Sequence, residues 1–360
     1  MYSISLLLRN GSLTKTLKTN IKHRNVIRSY SRALYDPENK GNRQKHINFD
    51  TLGTWDNRIE LPLLLQESIK RGKPIPKISV GNVGSASLIG RRSANEDRIQ
   101  IKEISPDILY LAVFDGHGGN DCADFCSERL QDHICFWLNR GETDLKTILF
   151  TSFVEVNNAY SRFVTYNRTK TTLSGTTATV CLLQNSIELV VGHVGDSRAI
   201  LCRNGEARKL TTDHSPLLKT EKERIVQSKG MVVTDSYGRS LVNGRLAMTR
   251  SLGDLDLKPY GVSAMPDTRS LQVQHGKDAF LVLTTDGINF VMSDQEICDG
   301  ICRHHDPQEA ANFITDQALQ FASEDNSSAV IVPFGSWGKF ASSTHSFHFG
   351  RSMIRSSRYV

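Results

Sequence analysis

Two long helical patterns stand back to back in this chain, with short apolar strands on either side, and that order limits the fold more than any other feature. Residues 119–138 carry Ala123, Cys126, Leu130, Ile134 and Trp137 on one side. Asp144 then opens a second stripe of Leu145, Ile148, Leu149, Phe153, Val156, Tyr160 and Phe163, at the 3.6-residue period of an amphipathic helix. Strand-like runs rich in Val, Ile and Leu lie at 109–114, 178–183, 187–194, 199–203, 280–285 and 329–332. A third helix begins at "DPQEAANF", where Asp306 caps, Pro307 takes the first helical position and Glu309 completes a capping box. Strands and helices do not alternate strictly, which argues against a doubly wound parallel sheet and for antiparallel sheets with helices packed outside. No internal repeat is visible, and no apolar run reaches the ~20 residues of a membrane-spanning helix.

Charge is unevenly spread. The chain has 360 residues and a net charge of +6. Residues 1–35 hold seven Lys or Arg and no acid, and residues 333–360 hold four and no acid, so the middle is net acidic. An acidic middle lacks the basic footprint of a nucleic-acid binder. The basic, acid-free N-terminus with Ser and Thr reads as a mitochondrial transit peptide over 1–35. Residues 36–78, with "RGKPIPK", read as a linker and extended lead-in. Residues 79–333 form the expected catalytic domain, and 334–360 a basic, disordered tail. The 7 cysteines are odd in number and imply no disulfide framework. Cys122/Cys126 and Cys298/Cys302 read as buried thiols, because no second pair at zinc-ligand spacing accompanies either.

Acids collect where elements end. "LYLAVF" runs into Asp115-Gly116-His117, and "FLVLTT" into Asp286-Gly287. Gly195-Asp196 follows "IELVVGHV", Gly253-Asp254 follows "AMTRSL", and Glu96-Asp97 and Asp325-Asn326 complete the set. One Asp-Gly pair is usually a turn. Several in one domain are another matter, because converged carboxylates repel unless a cation neutralises them. All-oxygen ligands favour Mg²⁺ or Mn²⁺ over zinc, and a two-ion carboxylate site suits phosphoryl transfer to water. Arg91 and Arg92 precede Glu96 and could meet the charge on phosphate oxygens. His117 could protonate a departing alkoxide.

Eight segments in order match a known pattern: "RRSANEDR", "YLAVFDGHGG", "SGTTATV", "VGHVGDSRAILCRNG", "TTDHSPLLKTEKERI", "VNGRLAMTRSLGD", "LVLTTDGINFVMS" and "EDNSSAVIV". Together they resemble the metal-dependent serine/threonine protein phosphatases of the PPM (type 2C) family. The resemblance implies an α+β, four-layer α-β-β-α fold, with a central antiparallel β-sandwich flanked by helices. It implies two Mn²⁺ or Mg²⁺ ions and a third, weaker one. Asp115 would bridge the two ions and the Gly116 carbonyl would bind one, with Glu96 and Asp97 near the bound waters. Asp286 and Asp325 would hold the second ion, with Asp254 beside it. Asp196 and Asp254 would serve the weaker site, Arg92 the phosphate, and His117 would be the general acid. Residues 55–84 and "VPFGSWGKF" further resemble the branch of the family that acts on the branched-chain 2-oxoacid dehydrogenase complex, implying a phosphoserine on its E1α subunit and a location in the mitochondrial matrix. Competing expectations are a non-catalytic docking protein of the same fold, a phosphatase of another mitochondrial phosphoprotein, and a metallo-phosphodiesterase. "CRNGEAR" has the Cys-x5-Arg spacing of cysteine-dependent phosphatases, but Asn204-Gly205 makes it a hairpin.

Overall fold

The protein is described by a computed structural model over residues 75–167 and 173–341. The expected transit peptide, most of the lead-in and the last part of the tail lie outside the described residues. In chain order the strands are β1 (Gly84–Leu88), β2 (Arg98–Ser105), β3 (Ile108–Phe114), β4 (Gly116–His117), β5 (Gly175–Thr176), β6 (Ala178–Gln184), β7 (Glu188–Val194), β8 (Arg198–Arg203), β9 (Glu206–Lys209), β10 (Val232–Thr234), β11 (Ser240–Val242), β12 (Leu252–Gly253), β13 (Asp267–Gln272), β14 (Asp278–Thr284) and β15 (Ser327–Pro333). The α-helices are α1 (Asp121–Asn139), α2 (Leu145–Asn167), α3 (Lys219–Gln227), α4 (Asp286–Asn289), α5 (Asp294–Ile301) and α6 (Pro307–Gln320). None is long and apolar enough to cross a membrane among the described residues.

Two five-stranded antiparallel sheets, ordered β1-β15-β14-β8-β9 and β13-β7-β6-β3-β2, stack face to face. The alternation of side chains along each strand builds three apolar layers. Leu109, Leu111 and Val113 of β3 meet Leu281, Leu283, Val330 and Val332 between the sheets. Tyr110, Ala112 and Phe114, the alternate set, pack outward against Leu130, Ile134, Leu149 and Phe153 of α1 and α2. On the other sheet Ile200, Phe280, Val282 and Ile331 pack against Ile297, Ala311 and Ile314 of α5 and α6. β3 and β14 are covered on both faces and buried along their whole length, which is why they are largely apolar, Asp278 and Thr284 of β14 apart. The four-layer α-β-β-α arrangement expected from the sequence is the one found.

Local signals also appear in place. Asp306 accepts the Glu309 amide at 2.9 Å and caps α6. The second helical stripe runs as expected to Tyr160, but its last buried member is Val164, and Phe163 is exposed. Asn204 and Gly205 have φ of 56° and 81°, the paired left-handed turn of a tight hairpin joining β8 to β9. Ordered packing continues past the expected boundary at residue 333. Phe334 and Ser336 are buried, and Trp337 and Phe340 pack on the α5–α6 side of the sandwich, so the fold continues to residue 341. At the other end Ile75 and Ile78 are buried, and the Ile78 amide donates to Ser186 Oγ at 3.1 Å, so the lead-in joins the fold before residue 79. Residues 219–262 form a small lobe with its own core of Ile225, Val242, Leu246, Met248, Leu257 and Val262.

Candidate metal centre

At one end of the sandwich the inward-facing series changes from apolar to polar. On β6, Cys181 and Leu183 lie in the inter-sheet core, and Thr177 and Thr179 continue the same alternate positions. The same parity carries β2 to Asp97, β3 to Asp115, β8 to Ser197, β14 to Thr285 and β15 to Ser328. These side chains bond to one another. Thr177 Oγ accepts the Asp115 amide at 3.1 Å and contacts Ser197 Oγ at 2.8 Å. Thr285 Oγ donates to Asp97 Oδ2 at 2.9 Å, and Ser328 Oγ donates to the same oxygen at 2.6 Å.

Above this polar floor, Asp115, Asp196 and Asp286 each offer a carboxylate oxygen, all within 4.8 Å of one another. Asp115 leaves the end of β3, Asp196 sits in the β7–β8 turn, and Asp286 is the first residue of α4. The Asp286 amide points to Asp115 Oδ2 at 3.4 Å. All three remain half-open to solvent. Desolvation and the charges of Asp286, Asp97 and Asp196 hold the Asp115 carboxyl well above the usual range, and desolvation with Asp196 and Asp325 does the same to Asp286. Burial pushes Asp196 and Asp97 up to about 6. Asp196 Oδ1 and Asp97 Oδ1 are buried with no hydrogen-bond partner among the described residues. Crowded oxygens without donors are the chemistry of a hard-cation site, so the donor set fits Mg²⁺ or Mn²⁺.

The remaining expected residues surround this cluster in specific pairs. Gly116 brings the Glu96 backbone against the site: a Cβ there would stand 2.6 Å from Glu96 O. The Glu96 amide is held by Asn326 Oδ1 at 2.8 Å, while Asn326 Nδ2 donates to Ile89 O and Ala94 O, pinning the 89–96 loop. Asp325 pairs with Arg92 Nη2 at 2.6 Å, and most of the Arg92 side chain faces solvent. Arg91 instead pairs with Glu324 on the exposed rim. Asp254 is not in the carboxylate group. Its Oδ2 is instead taken by His117 Nε2 at 2.8 Å and Ser251 Oγ at 2.6 Å. Burial works to lower the His117 pKa, but the Asp254 charge and hydrogen bond outweigh it and leave it raised. His117 Nδ1 is buried and has no partner among the described residues. Lys258 lies half-buried nearby, donating to Ser251 O at 2.7 Å, and desolvation lowers its pKa to about 8.

The protein phosphatase 2C family matches residues 83–327. Protein phosphatase 1K, mitochondrial, of Xenopus laevis is 52% identical over 312 residues, covering 86% of this chain and 83% of that protein. The chain belongs to the protein phosphatase 2C family. Rattus norvegicus protein phosphatase 1B is 33% identical over 70% of each chain. Among solved structures, a C. elegans sex-determining protein superposes with a TM-score of 0.66 at 26% identity, covering 75% of this chain and 67% of that one. A Toxoplasma gondii serine-threonine phosphatase 2C shares the fold, with a TM-score of 0.63 at 22% identity over 70% of this chain and 94% of that one. The chain is thus a serine/threonine protein phosphatase of a metal-dependent family.

Sequence reading passed over Thr177, Thr285, Ser328, Asn326 and Ser251. The first three had a legible signal, since each continues the period-2 inward series of an apolar strand. Asn326 and Ser251 had none, because their partners lie on other elements. The Cys202 decoy resolves as expected. Cys202 is buried on β8, and contact with the Cys298 thiol together with burial holds its pKa above the ordinary cysteine range, away from a thiolate.

Proposed function

We propose that this protein hydrolyses phosphoserine on the E1α subunit of the branched-chain 2-oxoacid dehydrogenase complex in the mitochondrial matrix, activating branched-chain amino acid catabolism. The observation that carries the chemistry is the cluster of Asp115, Asp196 and Asp286, crowded at one sandwich mouth with no ion pair to a lysine or arginine among the described residues. Asp115, Asp286, Asp196 and the Gly116 carbonyl would hold the ions, with Glu96, Asp97 and Asp325 close by. Two bound Mg²⁺ or Mn²⁺ ions would polarise the phosphate and make water nucleophilic at neutral pH.

The chain's own residues do the rest. Thr285 and Ser328 fix the Asp97 carboxylate, and Thr177 fixes the backbone of Asp115, so the site is rigid before substrate arrives. Arg92 stands on the rim with most of its side chain open, placed to bind phosphate oxygens. Asp254 orients the His117 ring through Nε2 and favours its protonated form. That leaves Nδ1, the ring nitrogen without a partner among the described residues, to give a proton to the departing serine oxygen, which requires a ring shift because Nδ1 is buried here.

The choice of substrate and compartment is supported by the resemblance of residues 55–84 and 332–340, by the basic N-terminus, and by the mitochondrial relative. The deciding experiment measures Mn²⁺-dependent release of phosphate from an E1α phosphopeptide and from p-nitrophenyl phosphate, in wild type and Asp286→Asn. Wild type should cleave both, and EDTA or the substitution should abolish both. Intact hydrolysis in Asp286→Asn would overturn the metal mechanism. Hydrolysis of p-nitrophenyl phosphate without preference for the E1α peptide over unrelated phosphopeptides would overturn the substrate.

A further inference from the structure

Asp196 reaches the carboxylate cluster from a turn that does little to orient its side chain. One of its oxygens has no partner among the described residues, and its backbone carbonyl has only a long contact from Asn289 Nδ2 at 3.4 Å. The turn is held instead at the preceding residue. Gly195 has a φ of 105°, and a Cβ there would stand 2.5 Å from Thr177 Cγ2, so glycine is required. Its amide donates to His214 Nδ1 at 3.1 Å, and its carbonyl accepts the His214 amide at 2.8 Å. One buried residue therefore grips both backbone polar groups of Gly195, the residue that leads into Asp196.

His214 is itself held in a closed ring. With Nδ1 accepting, the ring proton sits on Nε2 and faces Asp267 Oδ2 at 3.2 Å. Asp267 Oδ1 accepts Arg250 Nη1 at 2.8 Å, and Arg250 Nη2 donates to Glu221 Oε1 at 2.7 Å. Glu221, buried at the start of α3, accepts Thr249 Oγ at 2.5 Å, and the Thr249 amide returns to His214 O at 2.8 Å. His193 stacks on the His214 ring with centroids 5.0 Å apart, and burial keeps it uncharged by lowering its pKa to about 3. The ring thus joins the small lobe to the turn that carries Asp196. Were it only an anchor for the lobe, there would be no reason for the histidine to bind both groups of Gly195.

We propose that His214 is a positioning residue that sets the Asp196 carboxylate for cation binding, with Asp267, Arg250, Glu221 and Thr249 fixing its ring. This rests on the reading of Asp115, Asp196 and Asp286 as a metal site. Partners of metal-site residues set ligand orientation, and losing one typically costs about 10–100-fold in metal affinity.

The test is Mn²⁺ binding to the metal-free protein, followed by the electron paramagnetic resonance signal of free Mn²⁺, which needs no turnover. His214→Leu removes the acceptor for the Gly195 amide and should weaken the Asp196-dependent ion about tenfold. His214→Asn keeps an acceptor near the Nδ1 position and should restore most of that loss. Asp196→Asn should lose the same ion, and combining it with His214→Leu should add nothing further. Half-saturating Mn²⁺ for hydrolysis should rise with the dissociation constant, while KM for p-nitrophenyl phosphate at saturating Mn²⁺ stays within twofold. A folded His214→Leu protein that binds Mn²⁺ like wild type overturns the proposal. If that variant does not fold, Asp267→Asn, at a half-exposed side chain, takes its place. It should weaken binding about threefold, and a change below 1.5-fold overturns the proposal equally. Wild-type binding in both Asp196→Asn and Asp286→Asn would instead show that the metal-site reading itself had failed.

Discussion

Gly175→Ala places one methyl group against the His117–Asp254 pair and nothing else of the chemistry. Gly175 lies on β5 opposite His117, with a backbone conformation that alanine can adopt. A Cβ there would stand 2.3 Å from Asp254 Oδ2 and 2.4 Å from His117 Nε2. Ordinary contact begins at 3.4 Å, so both groups must retreat by about 1 Å, and the 2.8 Å hydrogen bond between them must break. A charge-assisted bond of this kind is worth about 1.5–3 kcal/mol. If that bond holds His117 for proton transfer, its loss lowers kcat by roughly 10–150-fold. Overpacking should cost about 1–3 kcal/mol of stability, which leaves a domain of this size folded. The assay is hydrolysis of a phosphoserine peptide at saturating Mn²⁺, with the urea midpoint measured alongside. Gly276→Ala, where a Cβ meets nothing within 4 Å, is the control and should change neither value. A kcat within threefold of wild type in folded Gly175→Ala would refute the role given to the pair.

Three further outcomes follow from the same structure. The carboxyls of Asp97 and Asp196, raised to about 6, and those of Asp115 and Asp286, raised further, favour folding when protonated. That stability is present at acidic pH and is lost as pH rises through about 6 and beyond, so EDTA-treated protein should melt higher at pH 5 than at pH 8, with Mn²⁺ restoring the stability lost at pH 8; a flat metal-free profile would contradict this. Tyr110→Phe removes a buried hydroxyl with no partner among the described residues and should raise unfolding free energy by about 1 kcal/mol in urea titration, whereas a destabilised variant would mean the hydroxyl has one. Cys202→Ser should leave kcat within twofold, and loss of most activity would reopen the Cys-x5-Arg reading.

Much of the fold was legible because the central strands are buried on both faces. β3, β6, β7, β8, β14 and β15 were each readable within two residues, since a doubly covered strand is an unbroken apolar run. β1, β2, β9 and β13 were not. β13 reads Asp-Thr-Arg-Ser-Leu-Gln, lies at a sheet edge and is mostly exposed; only its pairing with β7 makes it a strand. The residue types of the site were equally legible, and their partnerships were not. His117 and Asp254 are 137 residues apart, and Arg92 and Asp325 are 233 apart. No local pattern encodes such pairs, because they arise only when the two sheets close on one another.

What would separate a metal-binding acid from a structural one is its company, and this chain holds acids in two contrasting settings side by side. Asp278 is fully buried on β14, yet Arg203 meets it with two nitrogens, at 2.6 and 2.8 Å, and the Gln274 amide adds a third bond. Asp213 is half-buried, and Arg198 and Lys209 together hold its pKa below the usual range despite burial. Each brings its own cation, and the fold can hold it ionised unaided. Asp115, Asp196 and Asp286 have the opposite environment: their carboxylates crowd one another, and no lysine or arginine forms an ion pair with any of them among the described residues, although His117 and Arg198 act on Asp196 against its burial. Placing three carboxylates together destabilises the metal-free fold, and a sequence seeking only stability would replace one with asparagine or recruit an arginine. The proposed metal site would supply the missing positive charge from solution, through the partial opening that all three retain.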